Sequence, residues 1–271
     1  MSTPPPTGPL LTRDDMAAAL RRLGVASGET LLVHSSLSSL GWVNGGAVAV
    51  VRALLDALGP AGTLVVPTQS GDQSDPAVWG NPQVPEEWWD RIRATMPPYD
   101  PAITPSRWVG VIPETVRTWP GALRSAHPQT SFAALGPGAA RILDGHSRDC
   151  RLGERSPLAR LERLGARVLL LGAGYDACTS FHLAEYRIPA PLVRVGRPAP
   201  GGGWETVTEV SITSDRFAEL GHDFERDRPV VRGKVGAAGA RLFPVADAVA
   251  YAQRWLPVHR PREEDFQHPR V

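Results

Sequence analysis

The densest run of reactive side chains is Leu171-Gly-Ala-Gly-Tyr-Asp-Ala-Cys-Thr-Ser-Phe-His-Leu-Ala-Glu-Tyr186. An apolar run feeds a glycine turn and then a segment of helical composition, with Asp176 or Thr179 available as caps. Glu185 lies three positions after His182, so a helix would put both on nearly one face. A histidine near a helix N-terminus stays neutral, because the positive end of the dipole disfavours imidazolium. A neutral imidazole is what a general base requires, and a nearby carboxylate would orient the ring and stabilise the cation formed. The competing reading is an ordinary structural histidine. Cys178 lies four residues before His182, and a Cys–His nucleophile pair is a second chemistry, set against a small packed cysteine. No further ligand closely follows His182 and Glu185, so no metal site is expected.

Three other constellations carry polar groups. Val33-His-Ser-Ser-Leu-Ser-Ser-Leu-Gly41, followed by Asn44-Gly-Gly46, reads as a strand handing over to a Ser/Gly-rich turn before a helix. Free backbone N–H groups and hydroxyls there suit phosphates, although the segment is neither a P-loop nor a dinucleotide fingerprint. It would equally serve as a capped surface turn. Asp72, Asp75, Glu86, Glu87, Asp90, Asp100 and the more distant Glu209 are acidic positions that could meet a polycationic, sugar-like ligand or simply face solvent. In Arg124-Ser-Ala-His-Pro128, His127 is held extended by the proline and either supports a site or packs.

The elements that must position these groups follow from pattern. Thr12 caps a helix to about Leu23, with Asp14 and Asp15 in the first turn and Gly24 as its stop. Thr30–His34 and Thr63–Pro67 read as buried strands joined by the helix Ala47–Leu58, a unit that builds parallel sheets. Thr68–Pro105 is a long excursion rich in Asp, Pro and Trp, with a short helix over Pro85–Thr95. Four of the eight tryptophans fall between Trp79 and Trp108, which argues against disorder there. Val111–Trp119, Pro137–Asp144 and Ser156–Leu164 are helical, Ala166–Leu171 is the clearest strand, and Asp176–Tyr186 is a helix. Pro191–Val195 and Thr206–Ile212 pair antiparallel across Pro198–Gly203, and Val245–Leu256 is a final helix before a polar tail. The expectation is one α/β domain over 1–271, flexible over Met1–Leu11, with a substrate-side loop at about 68–105.

Composition narrows the function classes. The chain has 271 residues, 42% of them hydrophobic, and 29 Lys+Arg against 28 Asp+Glu. Without a basic run, binding to a nucleic-acid backbone is not expected. The two cysteines, Cys150 and Cys178, form no metal or disulfide framework. The start of the chain lacks signal-peptide features, and its apolar runs are too short for a bilayer, so a soluble cytoplasmic protein is expected, with no membrane partner.

Taken in order, these segments resemble the antibiotic N-acetyltransferase family, whose best-known members are aminoglycoside 3-N-acetyltransferases. The resemblance rests on Leu32–Gly41, Gly62-Thr-Leu-Val-Val-Pro-Thr68, Arg124-Ser-x-His-Pro128, Ser156-Pro-Leu158, Leu169-Leu-Leu-Gly172, and Asp176 with Thr179-Ser-Phe-His-Leu-Ala-Glu185. It covers Leu10 to about Leu256. Ser70–Asp75, Pro85–Trp89 and Met96–Pro101 add similarity to actinobacterial resistance members. The resemblance implies a three-layer-like α/β sandwich with inserted loops, distinct from the GNAT fold. It implies acetyl-CoA as co-substrate, no metal, and an aminoglycoside acceptor modified at the 3-amino group of its 2-deoxystreptamine ring, giving antibiotic resistance. Ser35, Ser36, Leu37 and Ser38 would line the coenzyme site, with Val109 and Val111 nearby. His182 corresponds to the family's catalytic histidine and Glu185 to its carboxylate neighbour. Thr179 or nearby N–H groups would stabilise the oxyanion of a direct transfer. Asp72 and Glu209 fall where the family places acidic acceptor contacts, and Asp75 is grouped with them. Cys178 departs from the asparagine that many members carry. The alternatives are a Cys178/His182-dependent hydrolase or acyltransferase, acetylation of a different amine, and a non-enzymatic aminoglycoside binder.

Overall fold

A computed structural model describes residues 9–260. Nine strands occur among them: β1 (Thr30–Ser35), β2 (Thr63–Pro67), β3 (Leu123–Arg124), β4 (Phe132–Leu135), β5 (Arg167–Leu171), β6 (Leu192–Pro198), β7 (Trp204–Val210), β8 (Val231–Val235) and β9 (Ala238–Pro244). Seven form a sheet in the order β3-β4-β2-β1-β5-β9-β8, and β6 and β7 form a separate hairpin. Only β2–β1–β5 run parallel; the other ladders are antiparallel.

Helices cover both faces of the sheet. They are α1 (Arg13–Leu23), α2 (Gly46–Leu58), α3 (Trp89–Thr95), α4 (Val111–Arg117), α5 (Ala139–Leu143), α6 (Pro157–Arg163), α7 (Phe181–Glu185), α8 (Phe217–Asp227) and α9 (Val245–His259). Because strand side chains alternate, Leu31, Val33, Leu64, Val66, Leu169 and Leu171 pack into one core with α1, α2 and α4. Leu32, Val65, Val168 and Leu170 pack into a second core with Phe132, Phe243 and helices α5 to α9. This helix–sheet–helix layering is the sandwich the resemblance implied. Burial on both faces explains why β1, β2 and β5 read as unbroken apolar runs.

Local chemistry sets the element ends. In α1 the Thr12 hydroxyl accepts from Asp15 N–H while the Asp15 carboxylate accepts from Thr12 N–H, and Gly24 closes the helix at φ 101°. Leu11 is buried and bridges to Val43, so the flexible start expected for Met1–Leu11 does not include it; residues 1–8 lie outside the described residues. The tail beyond Arg260 lies outside them too.

The excursion 68–105 is stitched down rather than loose. The Arg124 guanidinium donates to Thr68 O at 2.7 Å and Ser70 Oγ at 2.8 Å, and also reaches Thr104 O, so one side chain holds both ends. The Pro85–Thr95 helix is present as a 3₁₀ turn, Glu86–Trp88, continuing into α3.

Two features differ from the sequence expectations. The single helix expected over Asp176–Tyr186 is a 3₁₀ turn at Tyr175–Ala177, an extended Cys178 (ψ 91°), and the five-residue α7. Burial of Cys178 draws the chain inward there and breaks the helix. A five-residue helix carries little dipole, so that argument for a neutral His182 lapses. In addition, β3, β4, α8, β8 and β9 were not anticipated. Among the described residues, no helix is long and apolar enough to cross a membrane.

Candidate active site

Ser35 and Leu171 are register partners at the carboxyl ends of adjacent parallel strands β1 and β5. The turns that follow therefore emerge side by side, which is where α/β sheets place their sites. Ser36 N–H donates to Leu171 O at 3.0 Å. The Ser39 hydroxyl donates to Gly172 O at 3.1 Å and bonds Ser36 Oγ at 2.9 Å, locking the two turns together. Gly172 sits at φ 69°, and a Cβ there would lie 2.7 Å from Ser39 Cβ, so the close approach requires glycine.

Between these turns opens a cleft of about 870 Å³. Its lining includes Ser35, Ser36, Leu37, Ser38, Trp42 and Gly46, then Trp108, Val109 and Val111, together with Thr179 and His182. All six residues expected at the coenzyme site are thus brought together. The Ser35 hydroxyl is buried without a partner. Gly45 caps α2 without a side-chain bond, and Gly46, which lines the cleft, donates its N–H to Val43 O at 3.1 Å. The lining among the described residues contains no lysine or arginine, so an anion would meet hydroxyls and N–H groups.

His182 Nδ1 lies 2.6 Å from Glu185 Oε2. Glu185 is fully buried, and its other oxygen accepts from Arg260 Nη1 at 2.6 Å and from Thr213 N–H at 3.1 Å. The imidazole packs on the Phe217 ring, with centroids 4.8 Å apart. A carboxylate on Nδ1 fixes the proton there and leaves Nε2 as the basic atom. Nothing local marks Arg260 or Thr213 as partners of Glu185, and sequence reasoning missed both.

Thr179 Oγ1 lies 3.3 Å from His34 Nε2, and both residues line the cleft. Burial, aided by the proximity of His182, pushes the His34 pKa down to about 3, so this ring stays neutral. Cys178 is fully buried in the core beneath, and burial pushes its thiol up to about 12. A thiol held neutral and out of the cleft is badly placed to act as a nucleophile, which argues against the Cys178/His182 chemistry.

None of the three acidic residues expected at the acceptor lines the cleft. The Glu209 carboxylate is buried between Arg151 Nε at 2.6 Å and Arg197 Nη1 at 3.0 Å. Asp75 is clamped by Arg93 through bonds of 2.8 and 3.1 Å and caps Ala77 N–H. Both carboxylates are neutralised by arginines, a pairing invisible in sequence. Asp72 is partly exposed and also arginine-paired: Arg107 Nε reaches Oδ2 at 3.3 Å, while Oδ1 is buried without a partner. His127 packs against the His146 ring, and its Nδ1 accepts from Gln129 and Thr130 N–H, which assigns it a structural job.

Comparison with known proteins bears on this geometry. A family model described as aminoglycoside 3-N-acetyltransferase matches residues 32–257. The SPbeta prophage-derived aminoglycoside N(3')-acetyltransferase-like protein YokD of Bacillus subtilis (strain 168) is 46% identical over 90% of this chain and 92% of its own. Its crystal structure superposes with a TM-score of 0.91, covering 97% of each chain at 44% identity. Aminoglycoside N(3)-acetyltransferase VIII of Streptomyces fradiae is 37% identical, covering 92% of both chains. AAC-IIIb, solved as a binary complex with CoASH, gives a TM-score of 0.79 at 32% identity, covering 94% of this chain and 100% of that one.

Proposed function

The chain belongs to the aminoglycoside 3-N-acetyltransferase family, and from that membership we propose that it transfers an acetyl group from acetyl-CoA directly to the 3-amino group of an aminoglycoside's 2-deoxystreptamine ring. The observation that carries the proposal is the His182–Glu185 pair, with His182 lining the cleft and Nε2 left over for the acceptor.

The residues present suit coenzyme A. Ser36 and Ser38 hydroxyls and the unpartnered Ser35 hydroxyl offer donors for phosphate and pantetheine amide groups. Val109 and Val111 supply apolar wall. When bound, acetyl-CoA contributes a thioester, an acyl group already activated towards amines.

An ammonium has no lone pair, so the acceptor first gives one proton to solvent and attacks as the neutral amine. His182 Nε2 then takes a second proton from that nitrogen as the N–C bond forms. Glu185, held by Arg260 and Thr213, stabilises the resulting imidazolium through Nδ1–H. The Thr179 hydroxyl, positioned by neutral His34, donates to the developing oxyanion. As the C–S bond breaks, His182 returns its proton to the departing thiolate, and the dyad is reset. Asp72 supplies the negative charge for a cationic acceptor. Such modification would confer resistance on a cell that makes the protein.

The test is an acetyl-CoA assay against gentamicin, kanamycin and neomycin, with mass spectrometry to place the acetyl group. His182→Gln should lower kcat by about 10²–10⁴ with a modest change in acetyl-CoA KM. Near-wild-type turnover by that variant would remove the base role, and acetylation of a different nitrogen would remove the regiochemistry.

A further inference from the structure

Trp108 combines two costs without an internal return. Its backbone lies at φ 60°, a region where a bulky residue is strained. Its side chain is nevertheless 70% exposed, so burial of the indole does not offset the strain. The ring is held in place all the same. A Cβ on Gly71 would fall 2.2 Å from Trp108 Cζ3 and 2.9 Å from Cε3, so the absence of a side chain at Gly71 makes the seat for the indole. The turn beneath is pinned by Arg107 N–H donating to Gln69 O at 2.7 Å. A strained, seated and exposed aromatic on the wall of the cleft that holds His182 is arranged for a ligand.

We propose that Trp108 is the platform for the acceptor, the face on which an aminocyclitol or aminosugar ring stacks while its ammonium groups meet Asp72. Val109 and Val111 beside it in sequence belong to the coenzyme wall, so it is the seat of the indole that points to the acceptor. Trp108 rests on Gly71, the residue before Asp72, in the long excursion rather than on the Ser35–Ser38 turn. The chemistry agrees. A cationic sugar presents C–H faces to an indole and ammonium groups to its negative π cloud, and tryptophan is the strongest aromatic partner for a cation. With Asp75 and Glu209 occupied by arginines and Asp72 shared with Arg107, the indole adds recognition that the carboxylates do not supply.

The inference rests on the aminoglycoside reading, and the experiment separates the two. Steady-state kinetics and calorimetric titration are run on wild type, Trp108→Gly and Trp108→Phe with the aminoglycoside that wild type uses best. Glycine relaxes the backbone strain, so Trp108→Gly is expected to fold with a Tm at or above that of wild type. It should raise the aminoglycoside KM and Kd by about five- to thirtyfold while the acetyl-CoA KM changes less than about twofold. Trp108→Phe should retain most of the affinity. An unchanged acceptor KM in Trp108→Gly, or a rise confined to acetyl-CoA, overturns the platform and leaves the acetyltransferase standing. Wild type that neither binds nor acetylates any of the aminoglycosides overturns both.

Discussion

At the scale of single residues, what matters is which polar groups are free and which are already spent. His182 and Glu185 were readable because three positions along the chain are enough to bring them together. The fates of Glu209 and Asp75 were not, because the arginines that neutralise them come from elsewhere in the fold: Arg151 lies 58 residues from Glu209, and Arg93 lies 18 from Asp75. Cys178 illustrates the opposite error. Its closeness to His182 in sequence suggests a nucleophile, yet the side chain is fully buried in the apolar core. Cys178→Ala should therefore keep kcat within about threefold and destabilise the fold by about 1 kcal/mol through lost packing. Acetylation assays after treatment with a thiol alkylating agent check it. An acetyl-thioester trapped on Cys178 would sink direct transfer.

Among elements, the parallel core was legible and the antiparallel rim was not. Strands β1, β2 and β5 are buried on both faces and announce themselves as apolar runs. Strand β9 is Ala238-Gly-Ala-Arg-Leu-Phe-Pro244, and edge strand β8 is largely exposed with Arg232 and Lys234; neither carries a strong pattern. Both acquire their conformation by pairing in turn on β5. The β6–β7 hairpin was legible from its turn, but its anchorage was not. It is tied to the body by Arg148 on Glu205 and by Arg151 on Glu209, with buried Arg197 bridging both carboxylates. Removing one member of a buried ion pair strands its partner, so Glu209→Gln should destabilise the protein by about 3 kcal/mol. Urea unfolding measures that loss. A Glu209→Gln variant of undiminished stability whose only defect is a raised acceptor KM would return Glu209 to the acceptor site.

Taken whole, the molecule keeps three histidines buried and neutral. Burial pushes His34 down to about 3 and His146 to about 4, and holds His127 well below its usual range. In the unfolded chain each titrates near 6.5. Below that value the unfolded state binds more protons than the native state, so stability is full above about pH 6.5 and falls as pH drops towards 4. The slope reaches about 1.4 kcal/mol per pH unit for each histidine fully engaged. Glu114, held down to about 2 by Arg117 and Ser106 against the opposing effect of burial, loses its contribution only at still lower pH. Urea midpoints at pH 7.5, 6.0 and 5.0 should decline steadily, and a flat profile across that window would show that these rings are protonated in the native state.

The grip of Arg124 on both ends of the 68–105 excursion also bears on how the protein tolerates change. One guanidinium closes the segment at its base, so its interior can be rewritten or lengthened while the strands below keep their register. The coenzyme turn and the His182–Glu185 pair depend on other strands and helices, chiefly β1, β5 and α7. Under the proposed function, a change inside this segment alters the acceptor side of the cleft and leaves the proton-transfer pair standing.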